Sequence, residues 1–274
     1  MQNRQARKNG LVSFSSEPLH LIFAAFGGLV LLFIIAPLAG MLLHTTLPEL
    51  KETVLDAEVQ SSIWLTLWTA MGATLIASIA AIPFSYLLAR KSFPLKGLVT
   101  GIVDIPIVIP HPAAGIALLS VIARDTFFGK IAGKAGFGFV SNPAGIIAAM
   151  AFVSIPFLIN AARDGFQAVP ERLEKAALNL GASPARVFFT ISLPLAWRSI
   201  LSGLILMWGR GMSEFGAVII VAYNPMVAPI LIYERFGAFG LKYARPAAAV
   251  FVSVCLALFI ALRLIGGKRV AAQH

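Results

Sequence analysis

The chain has 274 residues, of which 58% are hydrophobic and only 12% are charged, and its formal net charge is +10. Soluble domains usually carry about 25% charged residues, and disordered chains need low hydrophobicity. The composition therefore excludes both classes and indicates a membrane protein, in which surplus Lys and Arg usually lie on cytoplasmic loops. The single cysteine, Cys255, excludes an intrachain disulfide and a cysteine metal cluster.

Six apolar stretches are long enough to cross a bilayer, because a spanning helix needs roughly 20 apolar residues. Their period is helical, so we expect an all-α integral membrane protein rather than an outer-membrane barrel. Lys and Arg outside these stretches are concentrated on the side that carries both termini, which predicts that both termini are cytoplasmic. We expect one transmembrane domain over residues 1–274, with spans at 19–43, 61–89, 97–123, 144–162, 199–222 and 246–266.

The third predicted span is interrupted by prolines. It contains Asp104, Pro106, Pro110, His111 and Pro112, and three prolines within seven residues cannot form an uninterrupted helix. Broken backbone at membrane depth is tolerated where it is buried in protein or lines a water-filled cavity. These five residues are therefore candidates for a pathway or gate. The alternative is a kinked helix that serves packing alone.

The connection between the fourth and fifth spans, residues 163–198, is the longest polar one and carries helix signals of its own. Pro170 suits a first helical position, and Gly181 suits the left-handed residue that ends a helix. Ser183 followed by Pro184 suits the start of a second helix. A helix–glycine–helix segment outside the bilayer has a surface suited to docking another protein. The alternative is an amphipathic loop that lies on the membrane.

The fifth predicted span contains two opposite charges. Arg210 and Glu214 are four residues apart, so a continuous helix would put them on one face. Charges inside a span are costly and usually face a bundle interior or a water-filled path. Arg210, Ser213, Glu214 and Phe215 are thus candidates for a pathway or gate in which Arg210 attracts an anion. The alternative is an ion pair that only packs helices.

Enzymatic chemistry is not indicated by the sequence. It contains no G-x-x-x-x-G-K-[ST] motif, so any ATP must be handled by another subunit. No nucleophile–His–acid set and no metal-ligand cluster stands out. We expect a transport protein that has no cofactor of its own and no nucleic-acid partner, and whose positive charge contacts anionic membrane lipid.

The loop at 163–198 resembles the EAA loop of ABC-importer permeases, whose pattern is E-A-A, three residues, Gly, nine residues, then I-x-L-P. The matching residues keep these spacings and are Lys175, Ala176, Ala177, Gly181, Ile191, Leu193 and Pro194. The chain departs from the pattern at Lys175, where the family usually has Glu, and Glu174 stands one position earlier. In that family the loop is the coupling helix, which inserts into a groove of a cytoplasmic ATPase. The resemblance therefore implies ATP-driven import.

Two further runs resemble oxyanion permeases. The run D-x-P-x-V-I-P-x-x-x-x-G-I-A-L-L, which starts at Asp104, is similar to the third-span signature of oxyanion importers. The run R-x-x-S-E-F-G-A, which starts at Arg210, is similar to the fifth-span signature of molybdate, tungstate and sulfate permeases. The stretch from Asn224 to Pro246 resembles the molybdate/tungstate branch most closely. Together these resemblances cover most of residues 60–265.

This resemblance implies the fold of a type I ABC-importer permease in the inner (cytoplasmic) membrane. It also implies a homodimer around a translocation path, two ATP-binding cassette ATPase subunits that hold ATP and Mg, and an extracytoplasmic oxyanion-binding protein. Such a complex would move molybdate or tungstate inward by alternating access. The alternatives are a sulfate or phosphate importer of the same architecture, and an ion-gradient-driven secondary transporter.

Overall fold

The protein is described by a computed structural model over residues 18–268, with side chains described through residue 262. The described residues divide into two compact units, with the boundary between Glu49 and Leu50. Over the described residues the structure contains helices and no strand, so the all-α prediction is confirmed. The helices in chain order are α1 (Pro18–Leu43), α2 (Leu47–Leu55), α3 (Ala57–Arg90), α4 (Lys96–Val108), α5 (His111–Ile122), α6 (Phe127–Lys134), α7 (Pro143–Ala168), α8 (Glu171–Asn179), α9 (Pro184–Val187), α10 (Leu193–Met212), α11 (Gly216–Val221), α12 (Ala228–Phe239) and α13 (Leu241–Lys268).

Membrane-spanning segments agree with the six-span prediction. Among the described residues, five helices are long and apolar enough to cross a membrane, and the bent pair α4–α5 makes a sixth if it is one span. Several of these helices extend beyond their predicted apolar cores. For example, α7 continues to Ala168 because it stays helical through polar residues and stops only before Val169-Pro170. The polar connection predicted at 163–198 is therefore shorter in the structure, since α10 begins at Leu193.

The core of the second unit lies around α7, which packs between α3 and α10. Ala149, Met150 and Val153 of α7 are fully buried in it. Small residues bring α7 and α10 close together: a Cβ added at Gly203 of α10 would stand 2.9 Å from the Cβ of Ala161 of α7. Close backbone approach through small residues is the usual way in which helices pack inside membranes.

The third span is broken, as the prolines predict. Helices α4 and α5 meet at an angle of 114° across Ile109 and Pro110. Pro110 precedes α5, and Pro112 lies in its first turn, where the missing N–H leaves no hydrogen bond unmade. Pro106, in contrast, lies inside α4 and is buried.

The fifth span is also broken, and here the prediction of one helix over 199–222 is wrong. Helix α10 ends at Met212, and a short separate helix, α11, begins at Gly216. The break has a physical cause in Glu214, whose Oε1 accepts a hydrogen bond of 2.8 Å from the backbone N–H of Ala217. This carboxylate satisfies one of the N–H groups that a new helix start leaves without a partner.

Candidate functional site

Residues 170–187, here called the elbow, consist of two short helices joined at a glycine. Helix α8 ends in a turn in which the N–H of Gly181 donates to Leu178 O and that of Ala182 donates to Ala177 O. Gly181 has φ +87°, a left-handed conformation that suits glycine. The hydroxyl of Ser183 accepts from the N–H of Arg186 at the start of α9. The predicted helix–glycine–helix geometry is confirmed, although Pro170 precedes the first helical residue instead of occupying it.

The predicted docking residues of α8 lie mostly on its outer face. Lys175 and Ala176 are exposed and Ala177 is half-buried. Lys175 forms an ion pair of 2.9 Å with Glu171, one turn earlier. The hydrogen bond from Lys175 lowers the pKa of the Glu171 carboxyl below its ordinary value. At the position where the family pattern has Glu, the outer face of α8 thus presents a partly neutralised cation.

Glu174 points the other way, into the protein. Its side chain is 9% exposed and forms an ion pair with Arg90, the last residue of α3. The hydroxyl of Ser192 also donates to its Oε1, at 2.7 Å. Apart from the charge of Arg90 at a span end, no sequence pattern points to these partners, because Arg90 and Glu174 are 84 positions apart.

The remaining predicted residues of the loop form the entry to α10. Ile191 lies in a π-helical turn, Phe188–Ser192, between α9 and α10. Leu193 and Pro194 are the first residues of α10, which continues the π-helical turn without a break, since the N–H of Leu193 donates to Phe188 O. The I-x-L-P run therefore joins the elbow to the fifth span.

The two broken spans bring three predicted residues together in what is here called the junction cluster: His111, Arg210 and Glu214. The Nη2 atom of Arg210 lies 2.9 Å from Glu214 Oε2, and His111 Nδ1 lies 2.9 Å from the same oxygen. Arg210 Nη2 is also 2.9 Å from both ring nitrogens of His111. Ser213 joins at the edge, where its hydroxyl accepts from Arg210 Nη1 at 3.3 Å.

Burial in the junction cluster is graded. The Glu214 side chain is 0% exposed, that of Arg210 is 21% exposed and that of His111 is 34% exposed. Although Arg210 Nη2 and His111 Nδ1 each lie 2.9 Å from Glu214 Oε2, no N–H of a described residue is aimed at this oxygen with hydrogen-bond geometry. The cluster thus holds a buried carboxylate whose electrostatic partners retain accessible donors.

Helices α5 and α11 approach closely beside the junction cluster, and glycines permit the contact. A Cβ added at Gly216 would lie 2.6 Å from the Cβ of His111. A Cβ added at Gly115 would lie 2.8 Å from the Cβ of Ile220. Real Cβ atoms do not pack this closely, so the start of α5 and the whole of α11 depend on these two glycines.

Two predicted pathway residues lie elsewhere. Asp104 of α4 accepts a hydrogen bond of 2.7 Å from Asn160 of α7, and no hydrogen bond or ion pair joins it to the described residues of the junction cluster. Phe215 packs against Tyr233 of α12, with ring centroids 5.0 Å apart and ring planes tilted by 51°. Asn160 was missed from the sequence, where a single amide within an apolar run carries no pattern.

The predicted extracytoplasmic end contains an ion-pair cluster that joins α12 to α3. Arg235 Nη2 lies 2.6 Å from Asp56 Oδ2 and 3.1 Å from Glu58 Oε2. Burial raises the pKa of Asp56, but hydrogen bonds from Arg235 and from the Glu58 N–H outweigh burial and hold the pKa below its ordinary value of 3.8. Asp56 also caps α3, since its side chain accepts from the backbone N–H groups of Glu58 and Val59.

The residues that the structure describes contain no candidate metal-binding site. No group of three or more His, Cys, Asp and Glu side chains there could hold a metal ion. The junction cluster supplies one imidazole and one carboxylate beside a guanidinium, a set suited to contact with an anion more than to coordination of a cation.

Comparison with known proteins identifies the family. Residues 81–271 match the family model described as "Binding-protein-dependent transport system inner membrane component". The "Molybdate/tungstate transport system permease protein WtpB" of Thermococcus kodakarensis is 45% identical over 250 residues, which cover 90% of this chain and 96% of that protein. The protein of the same name from Methanocaldococcus jannaschii is 42% identical over 253 residues, covering 92% of this chain and 99% of that protein.

A solved structure shares the fold. One chain in the crystal structure of a bacterial alginate ABC transporter, in complex with an alginate pentasaccharide-bound periplasmic protein, matches with a TM-score of 0.70 at 16% sequence identity. The match covers 90% of this chain and 94% of that one. With the six spans, the broken third span and the elbow, these findings agree on one assignment. The chain belongs to the family of binding-protein-dependent transport system inner membrane components.

Proposed function

We propose that this chain is the membrane-spanning permease subunit of an ATP-driven importer of molybdate or tungstate. The substrate assignment is supported by the 45% identity, over nearly the whole of both chains, to a permease named for these two anions. The chain itself would hold no ATPase site and no cofactor. ATP and Mg would be bound by a partner ATPase.

The proposed assembly contains two copies of this chain, two ATP-binding cassette ATPase subunits and an extracytoplasmic oxyanion-binding protein. The elbow is the proposed contact with the ATPase, because it is short, polar and exposed on the outer face of α8. The predicted excess of Lys and Arg on the same side supports a cytoplasmic position for it. The positive residues at the other end, including Lys130 and Lys134 of α6, would face the binding protein or the arriving anion.

The junction cluster is the proposed anion-contacting point of the pathway. Arg210 is neutralised by Glu214 on its buried side, while a fifth of its side chain stays accessible. A guanidinium offers a planar fork of donors that matches tetrahedral oxyanions, and His111 adds a further nitrogen beside it. Because both residues stand close to breaks in their spans, a small rigid movement of α5 against α10 would open or close the contact between His111 and Arg210.

Alternating access is the proposed mechanism. ATP binding would bring the two ATPases together, the elbow would carry this movement to α7 and α10, and the broken third and fifth spans would open outward. Hydrolysis would return the path to the inward-facing state. Any differential binding of the anion to the two states must come from groups such as Arg210 whose surroundings change between them.

The test is uptake into liposomes that contain this chain, its ATPase and its binding protein, with molybdate, tungstate and sulfate supplied in turn. The proposal expects ATP-dependent accumulation of molybdate or tungstate while sulfate stays outside. Accumulation of sulfate alone would overturn the substrate and leave the class intact. Anion movement without the ATPase would overturn the class in favour of a gradient-driven carrier. An ATPase variant unable to hydrolyse ATP is the matched control.

A further inference from the structure

The inner side of the elbow is attached to the rest of the protein by a buried charge pair. Arg90 at the end of α3 and Glu174 in α8 have side chains that are only 8% and 9% exposed. Of the nine residues of α8, all of which the structure describes, Glu174 is the one that is buried. Besides the chain connection through Val169 and Pro170, this carboxylate is thus the buried side-chain link between α8 and the membrane-spanning helices.

The geometry of the pair fixes both position and orientation. Arg90 Nε donates to both carboxylate oxygens of Glu174, at 3.0 and 2.9 Å, and Arg90 Nη2 donates to Oε1 at 2.9 Å. The same Nη2 donates to the carbonyl of Val169, just past the end of α7, at 2.9 Å. A fork of this kind resists rotation as well as separation, unlike a single point contact.

Glu174 has a second link, which leads to the fifth span. The hydroxyl of Ser192 donates to its Oε1, and Ser192 is the last residue of the π-helical turn before α10. Single π-helical turns are frequent at functional sites, and this one stands between the elbow and a span that ends at the junction cluster. Glu174 and Arg90 together thus join α8 to the ends of α3 and α7 and to the start of α10.

Stability alone does not account for a charge pair in this place. Two charges lose their hydration when they are buried, and apolar residues of similar volume often stabilise a fold equally well or better. What apolar residues cannot supply is a hydrogen-bonded fork with a fixed direction. Arg90 is also the last residue of α3, where a solvated cation would cost little.

We propose that Arg90 is a positioning residue for coupling: it holds Glu174 so that movement of the elbow is transmitted rigidly to α3, α7 and α10. This inference rests on the proposed function, because it requires an ATPase that moves the elbow. Arg90 contacts neither the anion nor ATP. Its effect is on the amount of anion imported for each ATP hydrolysed.

The decisive variant removes the fork without leaving a buried charge. In the double variant Arg90→Met with Glu174→Leu both charges are absent, so insertion and assembly are retained. The complete transporter with its ATPase and binding protein is reconstituted, and anion uptake and ATP hydrolysis are measured in the same liposomes. Uptake per ATP should fall about fivefold or more, the usual lower range of coupling between distant sites, while hydrolysis continues.

Two single variants complete the series. Arg90→Lys keeps the charge and loses the fork, so it should also lower uptake per ATP, whereas Ser192→Ala removes one link and should lower it less. The matched control is Asp164→Asn, which breaks an exposed ion pair with Arg163 on α7, outside the elbow. That control should keep the ratio of uptake to hydrolysis at the wild-type value.

The outcomes separate this inference from the proposed function. If the double variant assembles and imports as much anion per ATP as the wild type, the pair only stabilises the fold and the inference is overturned. Failure of the wild type to accumulate molybdate or tungstate would instead overturn the substrate. In that case the ratio is measured with whichever anion the wild type does accumulate. Anion movement that needs no ATP would overturn both this inference and the proposed function.

Discussion

Arg210 and Glu214 meet at 2.9 Å although the helix that carries Arg210 ends between them, at Met212. Glu214 is completely buried, and its other oxygen accepts a hydrogen bond from the N–H of Ala217 in the first turn of α11. One carboxylate therefore neutralises a cation of the helix that ends and stabilises the helix that begins. The ion pair and the break in the fifth span are two consequences of the same residue.

This double role predicts different effects for two substitutions of Glu214. In Glu214→Ala both interactions are lost and Arg210 keeps a partly buried unpaired charge, so we expect a loss of about 3–5 kcal/mol in the free energy of unfolding. In Glu214→Gln the amide oxygen still accepts from Ala217, so the loss should be smaller. Thermal unfolding of the purified protein in detergent measures both.

The matched control for these variants is Arg210→Gln with Glu214→Gln. It removes both charges together. If the unpaired charge of Arg210 causes the loss of stability in Glu214→Gln, the double variant should be more stable than that single variant. Equal losses for Glu214→Ala and Glu214→Gln would contradict a role for this carboxylate in starting α11.

The glycines between α5 and α11 give a second prediction. A Cβ at Gly216 would stand 2.6 Å from His111 Cβ, so Gly216→Ala must push the start of α5 away from the junction cluster. We expect a cost of about 1–3 kcal/mol, as for other overpacked sites, together with reduced anion uptake. The control is Gly209→Ala in α10, where no described atom lies within 4 Å of the added Cβ.

That control should change stability in the opposite direction. Alanine in a helix interior is more favourable than glycine by about 0.5–1 kcal/mol, so Gly209→Ala is expected to unfold at a slightly higher temperature. If Gly216→Ala were as stable and as active as Gly209→Ala, the close packing of α11 on His111 would not matter for transport.

The breaks in the third and fifth spans show what local sequence can predict and what it cannot. Pro110 and Pro112 interrupt α4–α5 through their own covalent structure, so the break can be predicted from the local sequence Pro110-His111-Pro112. The angle of 114° cannot, because it depends on the packing of α5 against α11. The predicted fifth span contains no proline, and its high hydropathy predicts one continuous helix. The helix end within it is caused by the Glu214 side chain, which hydropathy does not reveal.

The elbow shows the same difference between near and distant contacts. Gly181 and Ser183 act on their own backbone neighbours, so the helix–glycine–helix geometry was predictable from spacing alone. The pair of Arg90 with Glu174 was not, because it joins residues 84 positions apart. In the sequence Glu174 differs from its neighbours only by standing one position before the Glu of the family pattern, whereas in the structure it is the buried residue that attaches α8 to the protein.

The ion pair of Asp56 with Arg235 allows a third prediction, which separates charge from helix capping. Asp56→Asn keeps a capping oxygen for α3 and removes the charge, so we expect a loss of about 1 kcal/mol at neutral pH. Asp56→Ala loses the cap as well, which adds about 1 kcal/mol. Hydrogen exchange of the α12 amides reports the first effect, and exchange at the first turn of α3 reports the second.

Dependence on pH provides the check on this assignment. The folded pKa of Asp56 lies below its ordinary value of 3.8, so its contribution is complete above that value and is lost as the pH falls through the folded pKa. The wild type and Asp56→Asn should therefore differ at neutral pH and converge under strong acid. A difference that persisted unchanged into acid would mean that the charge of Asp56 does not hold α12.

Gly181 gives the last prediction, which tests the elbow independently of its buried anchor. Its φ of +87° disfavours any residue with a Cβ, and most of all a β-branched one. Gly181→Val should change the angle between α8 and α9 and reduce anion uptake per ATP hydrolysed. Gly181→Asn should be milder, because asparagine tolerates the left-handed region better than other residues.

The chain offers a matched control at Gly136, which has φ +81° and, like Gly181, no described atom within 4 Å of an added Cβ. Gly136→Val therefore carries a similar backbone strain, but it lies just after α6, at the predicted extracytoplasmic end. If the elbow transmits ATPase movement, uptake per ATP falls in Gly181→Val and stays at the wild-type value in Gly136→Val. Equal losses in both would assign the effect to general strain and remove the evidence for coupling at Gly181.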